Sequence, residues 1–451
     1  PKYEEKSMMY FIDSNGEKMS LKDPRIKMIM PSMGDVSTQL FAAALRRAGI
    51  NAHWMGVSDK ETLRCGRTVT TGKECLPMIL CVGSMIKYLK HRKDKNEKLV
   101  IFQPRAAGYC RLGQYHVFMN MLIKERKIKD VALLSLANEE KYAGLGTRFT
   151  INAWRAIVAG DVLDDIRNTL WALAKDTKQA EDIFNEEVDK LTLSIDGLSQ
   201  ADFYQQLKLT SKRLGEIPLK MKLKDAPKIA IMGEIFVRRD SFSNKDLAKR
   251  LARRGFVPRV SHLSEWIYYL TYMINNKLHI PNYNFMGWME FYISDVVQKR
   301  MEKKIKDILA ESNLYERELV DIEDIMRYSK HILPKDLKGE PGMIIGTMLR
   351  DIFTKYAGIV NIGPFSCMPV RFTESIANNI LDMNSKMEAY KFAGEKIKEN
   401  GFKKNDRIPF LTIEADGNPW TQIIEARFEA FCLQAARVAE KQEKIRKESK
   451  I

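Results

Sequence analysis

The chain has 451 residues, 45% of them apolar, and carries 74 lysines and arginines against 58 acidic residues for a net charge of +16. That length exceeds what one ordinary core supports, so two or three domains are expected; no apolar run reaches about 18 residues, so no membrane-spanning helix is predicted. The basic residues are mixed with glutamates, as in RMEKKIKDILAESNLYERELVDIED, and neither zinc-finger spacing nor an RNA-binding aromatic signature occurs, which argues against nucleic acid as the partner.

The opening stretch, PKYEEKSMMYFIDSNGEK, is charged rather than apolar, which predicts a cytoplasmic protein. Thiols stay reduced in that compartment, so the six cysteines are expected to be ligands or core residues rather than disulfides. RIKMIMPSMG then reads as a buried strand and its turn, DVSTQLFAAALRRAG as a helix with Asp35 as a candidate cap and Gly49 as its stop, and NAHWMGV as a second strand. This strand–helix–strand unit implies a parallel sheet. A short helix, DKETLRCG, follows, then helix CLPMILCVGSMIKYLKHRK, strand KLVIFQP, helix GQYHVFMNMLIKERK and strand DVALLSL.

The same order returns later. KIAIMGEIFVRR reads as a strand, SNKDLAKRLARRG as a helix and FVPRVS as a strand, followed by helices from Leu263, strand GIVNIG, another helix, strand PFLTIEA and a long helix from Trp420. The expected fold class is therefore α/β: two Rossmann-like domains with parallel sheets, related as a repeat. The predicted boundaries are 1–160 for the first domain, 161–226 for a helical connector, and 227–451 for the second domain with a helical insertion over 263–340.

Ligands in open parallel sheets sit beyond the carboxyl ends of the strands. Cys110 comes just after strand KLVIFQP and Cys367 just after strand GIVNIG, so two equivalent loops each carry a thiol at the ligand-binding edge. Cys75 opens a helix behind Thr71, Gly72, Lys73 and Glu74, where free amides favour a thiolate or an anionic cluster. Gly108 and Arg111 flank Cys110, and a small residue lets backbone approach a bulky cofactor. Thiols gathered in such loops suit an iron–sulfur cluster. Cys65 closes a short helix in a polar setting. Cys81 lies six residues beyond Cys75, about 9 Å along the helix and turned by about 240°, too far round for one cubane to take both. Cys432 sits in the apolar stripe RFEAFCLQAARVA, which suits a core cysteine. No P-loop, nucleophile elbow or dinucleotide fingerprint occurs.

At TTGKECLP, AGYCRLGQY, MGEIFVRRDSFSN, NIGPFSCMP and DGNPWTQIIEARFEAF, the chain resembles the 2-hydroxyacyl-CoA dehydratase and benzoyl-CoA reductase superfamily, most of all its activase-associated branch of double-cubane cluster proteins. The five motifs fall in the same order as in that family. The resemblance implies two Rossmann-like domains around an iron–sulfur cluster in a homodimer, and a separate, ATP-hydrolysing dimeric activase that injects low-potential electrons. It implies an anaerobic oxidoreductase that reduces a small substrate; the alternatives are a dehydratase subunit with one 4Fe-4S cubane and a non-catalytic cluster carrier. The family's cysteine motifs fall on Cys75, Cys110 and Cys367. A double cubane of 8Fe-9S type needs six thiolates, and this chain has six cysteines, which favours that centre and draws in Cys65, Cys81 and Cys432 against the helical argument for the last. Arg111, Lys73 and Glu234 are expected beside the cluster. Relatives often carry a further cysteine three places after the one matching Cys75, where this chain has Met78.

Overall fold

The computed structural model describes residues 10–94, 96–105, 110–135, 146–279, 285–397 and 401–448; Gly108 lies outside them. A short antiparallel hairpin, β1 (Tyr10–Ile12) and β2 (Lys18–Ser20), precedes the first lobe. That lobe comprises β3 (Ile26–Met30), α1 (Asp35–Arg47), β4 (Ala52–Trp54), α2 (Lys60–Arg67), α3 (Leu76–His91), β5 (Lys98–Phe102), α4 (Leu112–Glu125) and β6 (Val131–Leu134). Three helices follow: α5 (Gly146–Leu173), α6 (Thr177–Asp196) and α7 (Phe203–Gly215).

The second lobe begins with β7 (Lys228–Gly233), α8 (Ser241–Asn244), α9 (Leu247–Arg253) and β8 (Val257–Val260). It continues through α10 (Leu263–Asn275), α11 (Phe285–Ala310), α12 (Ile322–Arg327) and α13 (Pro341–Asp351). It ends with β9 (Gly358–Pro364), α14 (Met368–Ile380), α15 (Met383–Ala393), β10 (Phe410–Ala415) and α16 (Gln422–Glu448). Among the described residues no helix is long and apolar enough to cross a membrane.

Each lobe holds a four-stranded, all-parallel sheet, in the orders β4-β3-β5-β6 and β8-β7-β9-β10. Numbered within its own lobe, each sheet runs second–first–third–fourth, so the two halves share one topology as well as one order of elements. Strands β7 and β9 are buried along their whole length, as a parallel sheet covered on both faces requires.

Local chemistry explains where the elements stop and where they differ from expectation. Helix α1 starts at Gly34, which caps it at φ +95°; Asp35 is its first residue, and its carboxylate turns to Arg167 of α5 instead of capping. The helix predicted over SNKDLAKRLARRG is broken into α8 and α9, because Lys245 and Asp246 both adopt positive φ. Helix α5 runs across residue 160 and is not a solvated connector. Trp154, Val158, Val162, Leu163, Ile166 and Leu170 are all buried, and the helix packs on α1, α9, α11 and β8. Its aspartates Asp161, Asp164 and Asp165 are buried too, and are paired, so α5 is the spine shared by both lobes.

A second bridge between the lobes is the α2–α3 pair. The two helices cross at backbone contact: a Cβ on Gly66 would stand 2.1 Å from the Ile79 carbonyl, and one on Gly83 2.0 Å from that of Thr62. Their outer face, with Leu63, Leu76, Ile79, Leu80 and Cys81, enters the same apolar core as Ile229 and Ile231 of β7, Val360 and Ile362 of β9, and Phe428 and Phe431 of α16.

Candidate functional site

Three cysteines approach the junction of the lobes from separate stretches of chain. Cys110 follows β5 and Cys367 follows β9, the third strand of each lobe, while Cys75 opens α3. Cys75 and Cys367 are built alike. Each is the N-cap of its helix in extended conformation (φ −61°, ψ 135° and φ −68°, ψ 113°), and each is followed two residues on by a proline, Pro77 or Pro369. Proline suits the first turn because its missing N–H is not needed there. The thiols thus stand at helix N-termini, where backbone dipoles favour negative charge.

Glu234, the residue after β7, has four of the six cysteines as electrostatic neighbours: Cys75, Cys81, Cys110 and Cys367. Cys75 also faces Cys110 and Arg111 and accepts a hydrogen bond from the Tyr115 hydroxyl; Cys367 also faces Cys75 and Glu340. The Leu112 N–H donates to the Cys110 sulfur at 3.5 Å. Burial is the first cause of every shift in this group. It pushes Cys75 up to about 12 and Cys110 up to about 11, raises Cys81 and Cys367 as well, and Glu234 adds to each. Glu234 is raised by burial despite N–H donors from Val237 and Phe236, and Glu340 is raised to about 7 by burial and by Glu234, with Arg238 opposing.

Six acidic groups therefore neighbour one another at the junction, Cys81 buried, Cys75, Cys367, Glu234 and Glu340 half-buried and Cys110 exposed, and among the described residues Arg111 and Arg238 are cations that face them. Arg238 is already engaged, donating to the carbonyls of Gly233 at 2.7 Å and His262 at 3.2 Å. Positive charge brought to such a set, as by a metal centre, would draw thiolates from it. Thiols as the donor set fit iron. Among the described residues no group of three or more His, Cys, Asp or Glu closes tightly enough for a single metal ion. A cubane is larger than an ion and takes its thiolates on separate irons.

Arg111 and Lys73 meet: the guanidinium donates to the Lys73 carbonyl at 3.0 Å, tying the Cys110 loop to the Cys75 loop. The Cys75 loop is further fixed by Glu74, whose carboxylate accepts from the Thr71 N–H at 2.9 Å and from its hydroxyl at 3.0 Å. Cys81 lies in α3, buried behind Cys75. Cys65 is buried on α2. Cys432 packs in the same apolar core as Cys81, beside Phe428 and Phe431, and its charged neighbours are Glu429, Arg254 and Arg250; burial pushes its thiol up to about 11.

Tyr115 and Glu340 reach the junction without having been singled out from sequence. Tyr115 stands five residues after Cys110, one turn into α4, a spacing that could have marked it. Glu340, the N-cap of α13, arrives by tertiary packing alone. A separate cavity of about 60 Å³ lies against β7 and β8, lined by Arg259, His262, Lys306, Arg350 and Lys355 with Asp165 and Glu318; it contains none of the cysteines, and its charges largely pair with one another.

No protein-family model matches the chain, and the comparison with curated proteins finds no match.

Proposed function

We propose that this protein is an iron–sulfur oxidoreductase whose centre is held by Cys75, Cys110 and Cys367 where the two lobes meet. The observation that carries the reading is that these thiols, two from one lobe and one from the other, are all electrostatic neighbours of the half-buried carboxylate Glu234. An iron–sulfur cluster supplies one-electron chemistry at a potential set by its thiolates, its burial and the hydrogen bonds to its sulfurs. The chain's own contributions are distinct. Tyr115 and the Leu112 N–H donate to ligand sulfurs. The apolar cores behind α3 and α4 keep water from one side of the junction. Arg111 holds the two first-lobe loops together.

The resemblance supplies the rest of the proposal: electrons come from an ATP-hydrolysing activase, the protein works as a homodimer, and the substrate is small and hard to reduce. A double cubane would need Cys65, Cys81 and Cys432 as well. Cys81 has Cys75 among its electrostatic neighbours, whereas those of Cys432 are Glu429, Arg254 and Arg250. This favours the smaller centre, with three thiolates and one position free for another ligand, and with it a dehydratase-like use of the site as the second reading.

Iron and sulfide analysis of protein purified or reconstituted without oxygen tests the proposal. About four irons per chain support the single cubane, about eight the double one, and none removes both. Cys75→Ser, Cys110→Ser and Cys367→Ser should each lower bound iron, while Cys432→Ser should leave it unchanged if the centre is the smaller one.

A further inference from the structure

Glu234 has a position and a set of partners that capping alone does not require. Strand β7 ends on Gly233 at φ +111°, where a Cβ would stand 2.0 Å from the Ile362 carbonyl, so only glycine lets β7 and β9 come this close. The next residue, Glu234, donates its backbone N–H to that same carbonyl at 2.9 Å. Its backbone is thus pinned to β9 five residues before Cys367. The carboxylate is then oriented by two donors, one for each oxygen: Phe236 N–H at 3.1 Å and Val237 N–H at 2.8 Å. A carboxylate offers about four lone-pair sites, so each oxygen retains one. The cation nearest in sequence, Arg238, spends its guanidinium on the Gly233 and His262 carbonyls and forms no salt bridge with Glu234. Within electrostatic reach of this carboxylate lies the group of thiols, of which Cys75, Cys110 and Cys367 come from three different loops, and its Cβ stands against Gly363 of β9, four residues before Cys367.

We propose that the Glu234 carboxylate is itself a ligand of the centre held by Cys75, Cys110 and Cys367, supplying an oxygen donor at the position that has no thiolate. The inference rests on the iron–sulfur reading above and adds a residue to it. Oxygen binds iron less tightly than thiolate does. The Glu234 position would therefore be the one that gives way most readily to another ligand, while the three cysteines would hold the rest.

The test compares wild type with Glu234→Gln and Glu234→Asp after anaerobic reconstitution with iron and sulfide. Gln keeps an oxygen acceptor for one of the Phe236 and Val237 N–H groups, turns its NH2 toward the other and loses the anionic donor, while Asp keeps the charge on a shorter arm. The Gln variant is expected to load iron on its cysteines, to show altered electron paramagnetic resonance in the reduced state, and to lose one iron to a chelator about tenfold faster than wild type. Mössbauer spectra of wild type alone give a reading that no variant's folding can spoil: one iron distinct from the others is expected. Identical spectra and chelation rates in wild type and a loaded Gln variant overturn the inference and leave the iron–sulfur reading standing, as do equivalent irons in wild type. A wild type that takes up no iron overturns both.

Discussion

At the scale of single residues, the places of Cys75, Cys110 and Cys367 in the fold, at a helix start and in loops after strands, follow from local rules. A cysteine in the loop after a parallel strand is expected at the ligand edge, and Cys75 was placed at a helix start by the residues before it. Glu340 was not readable, since nothing near it in sequence says that α13 points its first turn at the cysteines. Gly233 shows how much one residue fixes. Gly233→Ala would add a Cβ 2.0 Å from the Ile362 carbonyl in a backbone region that side chains avoid. It should destabilise the protein by about 3 kcal/mol or more, from strain and from prying β7 off β9. Urea denaturation measures this, and a loss below about 1 kcal/mol would show that the strand ends part at little cost.

At the scale of elements, the sequence located most strands and helices but not how they meet. Short apolar runs gave all eight strands of the two sheets, and helical patterns gave α1, α3, α4 and α16. The break between α8 and α9 escaped because positive φ at Lys245 and Asp246 leaves no compositional mark. The burial of α5 escaped because its three aspartates and three arginines look solvated until their partners are known. Helix α15 has a comparable hidden feature. Lys386 is fully buried, and its ammonium donates to the Arg350 carbonyl at 2.5 Å and the Thr354 hydroxyl at 3.3 Å. Burial lowers it from 10.5 to about 7, with Asp351 opposing. Between those two values the unfolded chain binds a proton that the folded one does not, so stability should rise with pH across that window and level off on either side. Relative to Lys386→Met, which abolishes the titration, wild type should gain roughly 2–4 kcal/mol from pH 7 to about 10.5. Parallel stability–pH curves for the two proteins would show that this lysine stays charged in its site.

At the scale of the whole molecule, the repeat is the feature that gives the site its place. Two sheets of one topology each bring a switch point between first and third strands, and the α2–α3 pair and α5 hold the lobes so that these two edges face a common junction. The registration depends on charge as well as on apolar packing. Arg239, from the loop after β7, reaches α5 in a buried fork, with Asp161 and Asp164 each at 2.8 Å, and donates to Ser37 of α1 at 3.0 Å. One turn further along α5, Asp165 pairs with His262 at 3.0 Å, while Asp161 accepts the first N–H groups of α10 from Leu263 and Ser264, both at 2.9 Å. A buried pair contributes little compared with an apolar replacement of both partners, but removing one partner strands the other's charge. Arg239→Met should therefore cost about 3–5 kcal/mol, and adding Asp164→Asn to it should restore part of that loss. Because Cys75 and Cys110 belong to one lobe and Cys367 to the other, the single variant should also bind less iron per chain at temperatures where it remains folded, with the double variant regaining some. A single variant within about 1 kcal/mol of wild type, with unchanged iron uptake, would show that apolar contact through α5 and α3 sets the lobes' positions without the ions.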